Sequence, residues 1–164
     1  MQESLRTAAE LYQYSCDHGY GAGFGLKWGL KNFGLLERHL EAQEKVLVTF
    51  VGLHRFRSMS SHQRNFAYAV TDRRILMGQV RTFGRIRFES YPLSSIQNIS
   101  FDYDSSIGVM KIALRNDAVT IGMSQETAQN LCQGMTQLLP TLQKYAQQSA
   151  EGSEEEDAEE ESDD

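Results

Sequence analysis

Cysteine is scarce in this 164-residue chain: Cys16 and Cys132 stand far apart and belong to no CxxC or other ligand spacing. That excludes a disulfide-stapled scaffold and a cysteine-based zinc site, and it suits reduced thiols in a cytosolic protein. Long apolar runs are lacking too. Nothing approaches the ~18 residues a membrane-crossing helix needs, and no basic N-terminus leads into an apolar signal segment. The four histidines, His18, His39, His54 and His62, fall at no metal-ligand spacing, and no Walker lysine and serine, nucleophile elbow or paired catalytic carboxylates can be recognised. Ser60, Ser61 and His62 adjoin, but adjacency is not a triad. With no recognition helix and no aromatic-rich signature strand, nucleic acid is a poor candidate partner. These absences lead to the expectation of a non-enzymatic cytoplasmic protein, without cofactor or metal, able to sit at the periphery of a membrane.

What is present is charge, unevenly placed. The net charge is −6, yet ten of the twenty-two acidic residues occupy the last fourteen positions, leaving a body with sixteen basic and twelve acidic side chains. The acidic balance therefore describes a tail, and the body at +4 is free to meet anionic partners. From Glu151 onward the sequence EGSEEEDAEEESDD has no aliphatic residue beyond Ala158, so residues 148–164 are expected to be disordered. A flexible segment of that length reaches on the order of 20 Å and could compete for a basic site on the body.

Along the chain, Ser4 to Cys16 suits a helix with Ser4 as N-cap. Gly19 to Gly34 then carries six glycines among Tyr20, Phe24, Trp28 and Phe33. Glycine costs ~1 kcal/mol per helical position, which speaks against an autonomous helix. Three readings stay open for it: a flexible linker docking its aromatics on the domain, an interfacial segment with Phe24 and Trp28 among lipid headgroups and Lys27 and Lys31 toward anionic lipid, or a self-association ridge at Gly21, Gly25 and Gly29. After a short helix over Leu35 to Gln43, seven runs with strand periodicity follow: Val46–Phe56, the two arms of Arg64–Gly78, Arg85–Tyr91, Ile96–Tyr103, Ile107–Leu114 and Val119–Met123. Seven short antiparallel strands without intervening helices imply a barrel or sandwich. Ala128, Leu131, Met135, Leu138 and Leu142 form one stripe on a closing helix capped by Ser124, with Pro140 expected to kink it.

That order of elements, with AYAVTDRRILMG in the second and third strands, LEAQEKVLV before the first and SYPLSSIQNIS leading into the fifth, resembles the bacterial pleckstrin-homology-like domains. The resemblance spans about Leu36 to Leu142. It implies a mainly β fold with helices, a seven-stranded antiparallel barrel or sandwich closed by the C-terminal amphipathic helix, and a division into an N-terminal segment 1–34, a domain 35–147 and an acidic tail 148–164. It also implies a binding or adaptor module that engages a protein partner or an anionic phospholipid surface.

Eight arginines lie between His54 and Arg87 against the single acid Asp72. In an up-and-down meander the first and third loops share one end, which collects His54, Arg55, Arg57, His62 and Arg64 with Arg81 and Arg85, and leaves Arg73 and Arg74 at the other. Guanidinium groups donate paired, charge-assisted hydrogen bonds to phosphate, so these seven residues form the expected anion or lipid site. Phosphoinositide-binding members of the resembled family use basic residues in the same two loops, although they combine lysines with an arginine where this chain has arginines and histidines. Phe24, Lys27, Trp28 and Lys31 form the expected membrane or partner contact. The competing reading is an assembly subunit, a homo-oligomer joined through the Gly-aromatic segment and without a lipid ligand.

Overall fold

The computed structural model describes residues 5–21 and 24–161, with side chains up to residue 148. Seven strands run β1 (Val46–His54), β2 (Asn65–Thr71), β3 (Arg74–Val80), β4 (Ile86–Pro92), β5 (Ile96–Tyr103), β6 (Ile107–Leu114) and β7 (Ala118–Ser124), all antiparallel to their neighbours. The sheet order is β4-β3-β2-β1-β7-β6-β5. β1 is the hinge of this arrangement. It pairs with β2 from Val46 to Leu53 but with β7 only at Leu53↔Gly122 and His54↔Ile121. The sheet therefore folds over at that seam. β4 and β5 remain its two edges, so it is an open sheet and not a closed barrel, with a short 3-10 turn, Leu93–Ser95, linking the edges.

Alternation along the strands assigns each side chain to a face. Val48, Phe50, Phe66, Tyr68, Val70, Ile75 and Met77 meet Met110, Ile112, Val119 and Ile121 in the core between the two halves. The final helix, α3 (Gln125–Glu161), covers this core with Ala128, Leu131, Met135 and Leu142. Ser124 accepts the backbone N–H of Thr127 at 3.1 Å, the expected cap, and the helix continues through Pro140. The backbone of the acidic segment is helical as far as Glu161, where composition alone leads to an expectation of disorder. A helix already formed over Gln125–Gln148 propagates without a new nucleation cost, and Glu and Ala are good formers. The side chains beyond residue 148, and residues 162–164 entirely, lie outside the described residues.

The opposite face of β1–β3 is also covered. Thr7 caps α1 (Ala8–Asp17) by accepting Glu10 N–H at 3.2 Å, while Glu10 Oε1 accepts Thr7 N–H at 3.0 Å, a capping box that takes the place expected of Ser4, which lies outside the described residues. The Gly-rich stretch holds a helix, α2 (Leu26–His39), which runs through the expected boundary between residues 34 and 35 and absorbs the start of the short helix expected at Leu35. Glycine is tolerated there because of packing. A Cβ on Gly29 would lie 2.6 Å from Cδ1 of the Tyr12 ring, so its absence lets α1 and α2 close on each other. Leu11, Tyr12, Phe33 and Leu36 then bury Val51, Ala67, Ala69 and Leu76. Small residues at Ala67 and Ala69 on β2 leave room for this layer.

Candidate functional site

At the end of the sheet where β1 joins β2 and β3 joins β4, an open groove of about 700 Å³ is lined by Trp28 and Lys31 of α2, Arg64 and Asn65 at the start of β2, and Gln79 to Phe83 with Arg85 around the β3–β4 loop. Each basic group is placed by a neighbouring polar contact or by the chain itself. Asn32 Oδ1 accepts Val80 N–H at 2.9 Å, which ties α2 to the end of β3 and brings Lys31 and Trp28 to the rim. Gln79 donates to the carbonyls of Gln63 and Asn65 and accepts Arg81 Nε–H at 2.6 Å, bracing Arg81 against the entry to β2. Arg85 O accepts Arg81 N–H at 2.6 Å, which closes the loop carrying Phe83.

The groove is strongly electropositive. Among the described residues, the acidic side chains pair with His54, Arg55, Arg73 and Arg74, and none pairs with Lys31, Arg64, Arg81, Arg85 or Arg87. Partial loss of water, then the charges of Arg87, Arg64 and Arg85, holds the Arg81 guanidinium below its usual pKa. Mutual repulsion of this kind is relieved when an anion binds between the guanidinium groups. Arg64 and Phe83 both adopt left-handed backbone, φ 69° and 64°, a conformation that costs a non-glycine residue and clusters where side chains are aimed for use.

Of the residues expected at this mouth, Arg64, Arg81 and Arg85 come together, and Trp28 and Lys31 join them from the segment treated separately in the sequence. Arg57 and His62 lie outside the groove: Arg57 is exposed, and His62 stacks over Phe56 and accepts Arg64 N–H at 3.1 Å. Phe24 packs at a tilt against Trp28 with ring centroids 4.8 Å apart, and Lys27 is exposed; neither lines the groove. His54 is fully buried and stacked on Phe66. Its Nε2 contacts Glu89, its Nδ1 lies 2.8 Å from the Tyr68 hydroxyl, and Glu89 also accepts from Arg55 at 2.6 Å and from Tyr91 at 2.8 Å. An ionised carboxylate only accepts, so Nε2–H of His54 donates to Glu89, and Nδ1 shares the second hydrogen bond with the Tyr68 hydroxyl. The His54 hydrogen bond first, then those of Arg55 and Tyr91, lower the Glu89 pKa to about 2. Burial, then the bond to Glu89, pushes Tyr91 up to about 12. His54 and Arg55 thus serve an internal network and are not free to bind an anion.

Sequence reasoning missed two features of this end of the sheet. Phe83 is 99% exposed at the tip of the β3–β4 loop, and Arg87 on β4, which does not line the groove, acts on Arg81 by its charge and donates from its guanidinium to Gln63 Oε1 at 3.2 Å. The signal for Arg87 was present in the alternation of β4. Arg73 and Arg74 sit at the other end as anticipated, where they bind Glu41 and the buried Glu44. Among the described residues no cluster of His, Cys, Asp and Glu could hold a metal ion, and no helix is long and apolar enough to cross a membrane.

A family profile described as "Bacterial PH domain" matches residues 40–136. Among solved structures, the chain is similar to a DUF1696 family protein with a pleckstrin-homology domain from Shewanella loihica PV-4, at 10% identity, covering 69% of this chain and 91% of that one with a TM-score of 0.42. It is also similar to the hSac2 domain of the human phosphoinositide phosphatase Sac2, at 8% identity, 68% and 77% coverage and a TM-score of 0.49. A third likeness is to a pleckstrin homology domain from Shewanella amazonensis SB2B, at 12% identity, 69% and 93% coverage and a TM-score of 0.44. No curated protein sequence matches the chain.

Proposed function

The chain belongs to the bacterial PH domain family, and from that premise we propose that it is a non-enzymatic binding module that engages an anionic, phosphate-bearing surface through Lys31, Arg64, Arg81 and Arg85. The observation carrying this reading is that these four side chains line one open groove without a carboxylate partner among the described residues. Each basic group near an anionic membrane contributes about 1 kcal/mol, so four or five suffice for measurable recruitment that weakens as salt rises. Planar guanidinium groups add bidentate bonding to phosphate oxygens. The three arginines lie on loops held by a rigid sheet, and Lys31 on a helix anchored to it, which preserves the spacing between charges.

Co-sedimentation with phosphatidylcholine vesicles containing phosphatidylserine tests the reading. The double variant Arg64→Ala/Arg81→Ala is expected to lose at least about tenfold in affinity at low salt, from two contacts near 1 kcal/mol each. Neither residue is buried, so the fold should be retained. Equal binding by the parent and the double variant would remove the groove from the function and favour an assembly role for the exposed Phe24, Leu26 and Leu30.

A further inference from the structure

Phe83 stands out among the groove residues because neither the fold nor the binding of an anion requires it. The side chain is 99% exposed, so it contributes nothing to the core, and the fold forgoes the stabilisation a buried phenylalanine supplies. A single exposed apolar residue is ordinary on a protein surface. This one is held in place. Arg81 N–H donates to Arg85 O at 2.6 Å and Gly84 N–H to Arg81 O at 3.2 Å, closing a tight loop in which Phe83 and Gly84 take φ of 64° and 73° in succession. Asn or Gly would satisfy two consecutive left-handed positions with little strain, whereas a bulky aromatic pays for its backbone there. Turn chemistry does not explain the residue, and its exposed ring does.

The surroundings identify what the ring meets. Arg81 and Arg85 flank it, Arg64 and Lys31 line the same groove, and Leu30, next to Lys31 on α2, is 45% exposed. A soluble phosphate ester offers oxygens to the guanidinium groups and nothing to a phenyl ring at the outermost tip. A bilayer surface offers both, with phosphates in a layer and hydrocarbon a few ångströms beneath it. Resting on the groove reading above, we propose that Phe83 is a membrane wedge: it enters the headgroup and upper acyl region of an anionic bilayer while Lys31, Arg64, Arg81 and Arg85 hold lipid phosphates around it.

Three measurements on the full chain test this. With vesicles of phosphatidylcholine containing about one-third phosphatidylserine, Phe83→Ala is expected to weaken binding about tenfold, the loss set by burying one phenyl ring. Inorganic pyrophosphate binding, followed by calorimetry, is expected to be equal in the parent and in F83A. Trp28 is the single tryptophan, so W28F/F83W places one indole at the loop tip, and its emission is expected to shift to the blue and to be quenched by acyl-chain-brominated lipid. F83A vesicle binding equal to the parent, or an unquenched indole at the tip, overturns the wedge and leaves the groove reading standing. A loss of pyrophosphate binding in F83A overturns it as well, by assigning the ring to the groove itself. Arg64→Ala/Arg81→Ala binding vesicles as the parent does sinks the groove reading instead, so the two failures are distinguishable.

Discussion

Glu89 is the side chain whose position decides which arginines are free. It accepts from His54, Arg55 and Tyr91, and its carboxyl pKa is lowered from 4.5 to about 2. A depressed acid pKa contributes stability that is complete above the unfolded value and is lost as pH falls through the folded one. The window is therefore pH 4.5 down to about 2, and the contribution is of order 3 kcal/mol for a side chain only a quarter exposed. Glu89→Gln, which keeps the shape and removes the charge, is expected to cost roughly 2–3 kcal/mol at pH 7 in urea unfolding, with the gap to the parent closing as pH approaches 2. A gap that stays constant across that range would show that Glu89 carries no acid-labile stability. Because Arg55 pairs with this carboxylate, Arg55→Ala is expected to leave vesicle binding unchanged.

Helix α2 shows how one element can violate its own propensity. Its glycines cost about 1 kcal/mol each relative to alanine, yet the two that matter have opposite surroundings. A Cβ on Gly29 would press into the Tyr12 ring, whereas a Cβ on Gly34 would meet Ala8 Cβ and an Arg38 nitrogen at 3.9 Å, ordinary contact. Gly29→Ala is expected to destabilise by about 1–3 kcal/mol despite its better helix propensity, because the overlap forces α1 and α2 apart. Gly34→Ala is expected to stabilise by about 0.5–1 kcal/mol. Thermal unfolding of the two variants should move in opposite directions; a shift of the same sign in both would reject the packing account of the Gly-rich segment. Since α2 carries Trp28 and Lys31 to the groove, Gly29→Ala should also loosen vesicle binding.

The whole molecule carries net charge −6 although its body, up to residue 150, is basic at +4. Long-range repulsion from the acidic C-terminus opposes approach to an anionic surface wherever the Debye length exceeds the spacing, about 10 Å at 0.1 M salt and 3 Å at 1 M. Removing residues 151–164 is therefore expected to raise vesicle affinity several-fold at low salt and to have no effect near 1 M. Titrating vesicles at stepped ionic strength checks this, and a truncation without effect at low salt would detach the tail from binding.

The seven strands and the closing helical stripe were legible in the sequence because each rests on local periodicity: side chains alternate along a strand and recur at three or four along a helix. The basic end of the sheet was legible too, since a meander puts its first and third loops together. Three matters were decided only by the tertiary structure. Val51, Ala67 and Ala69 face a second buried layer because α1 and α2 settle on them. Arg55 and Arg64 look alike in the sequence, but Glu89, far along the chain, pairs with the first, and among the described residues no acidic side chain pairs with the second. Trp28 and Lys31 meet Arg64, Arg81 and Phe83 only after α2 docks beside β3. Periodicity is a property of neighbours in the chain, whereas ion pairing, desolvation and glycine contacts are properties of neighbours in space.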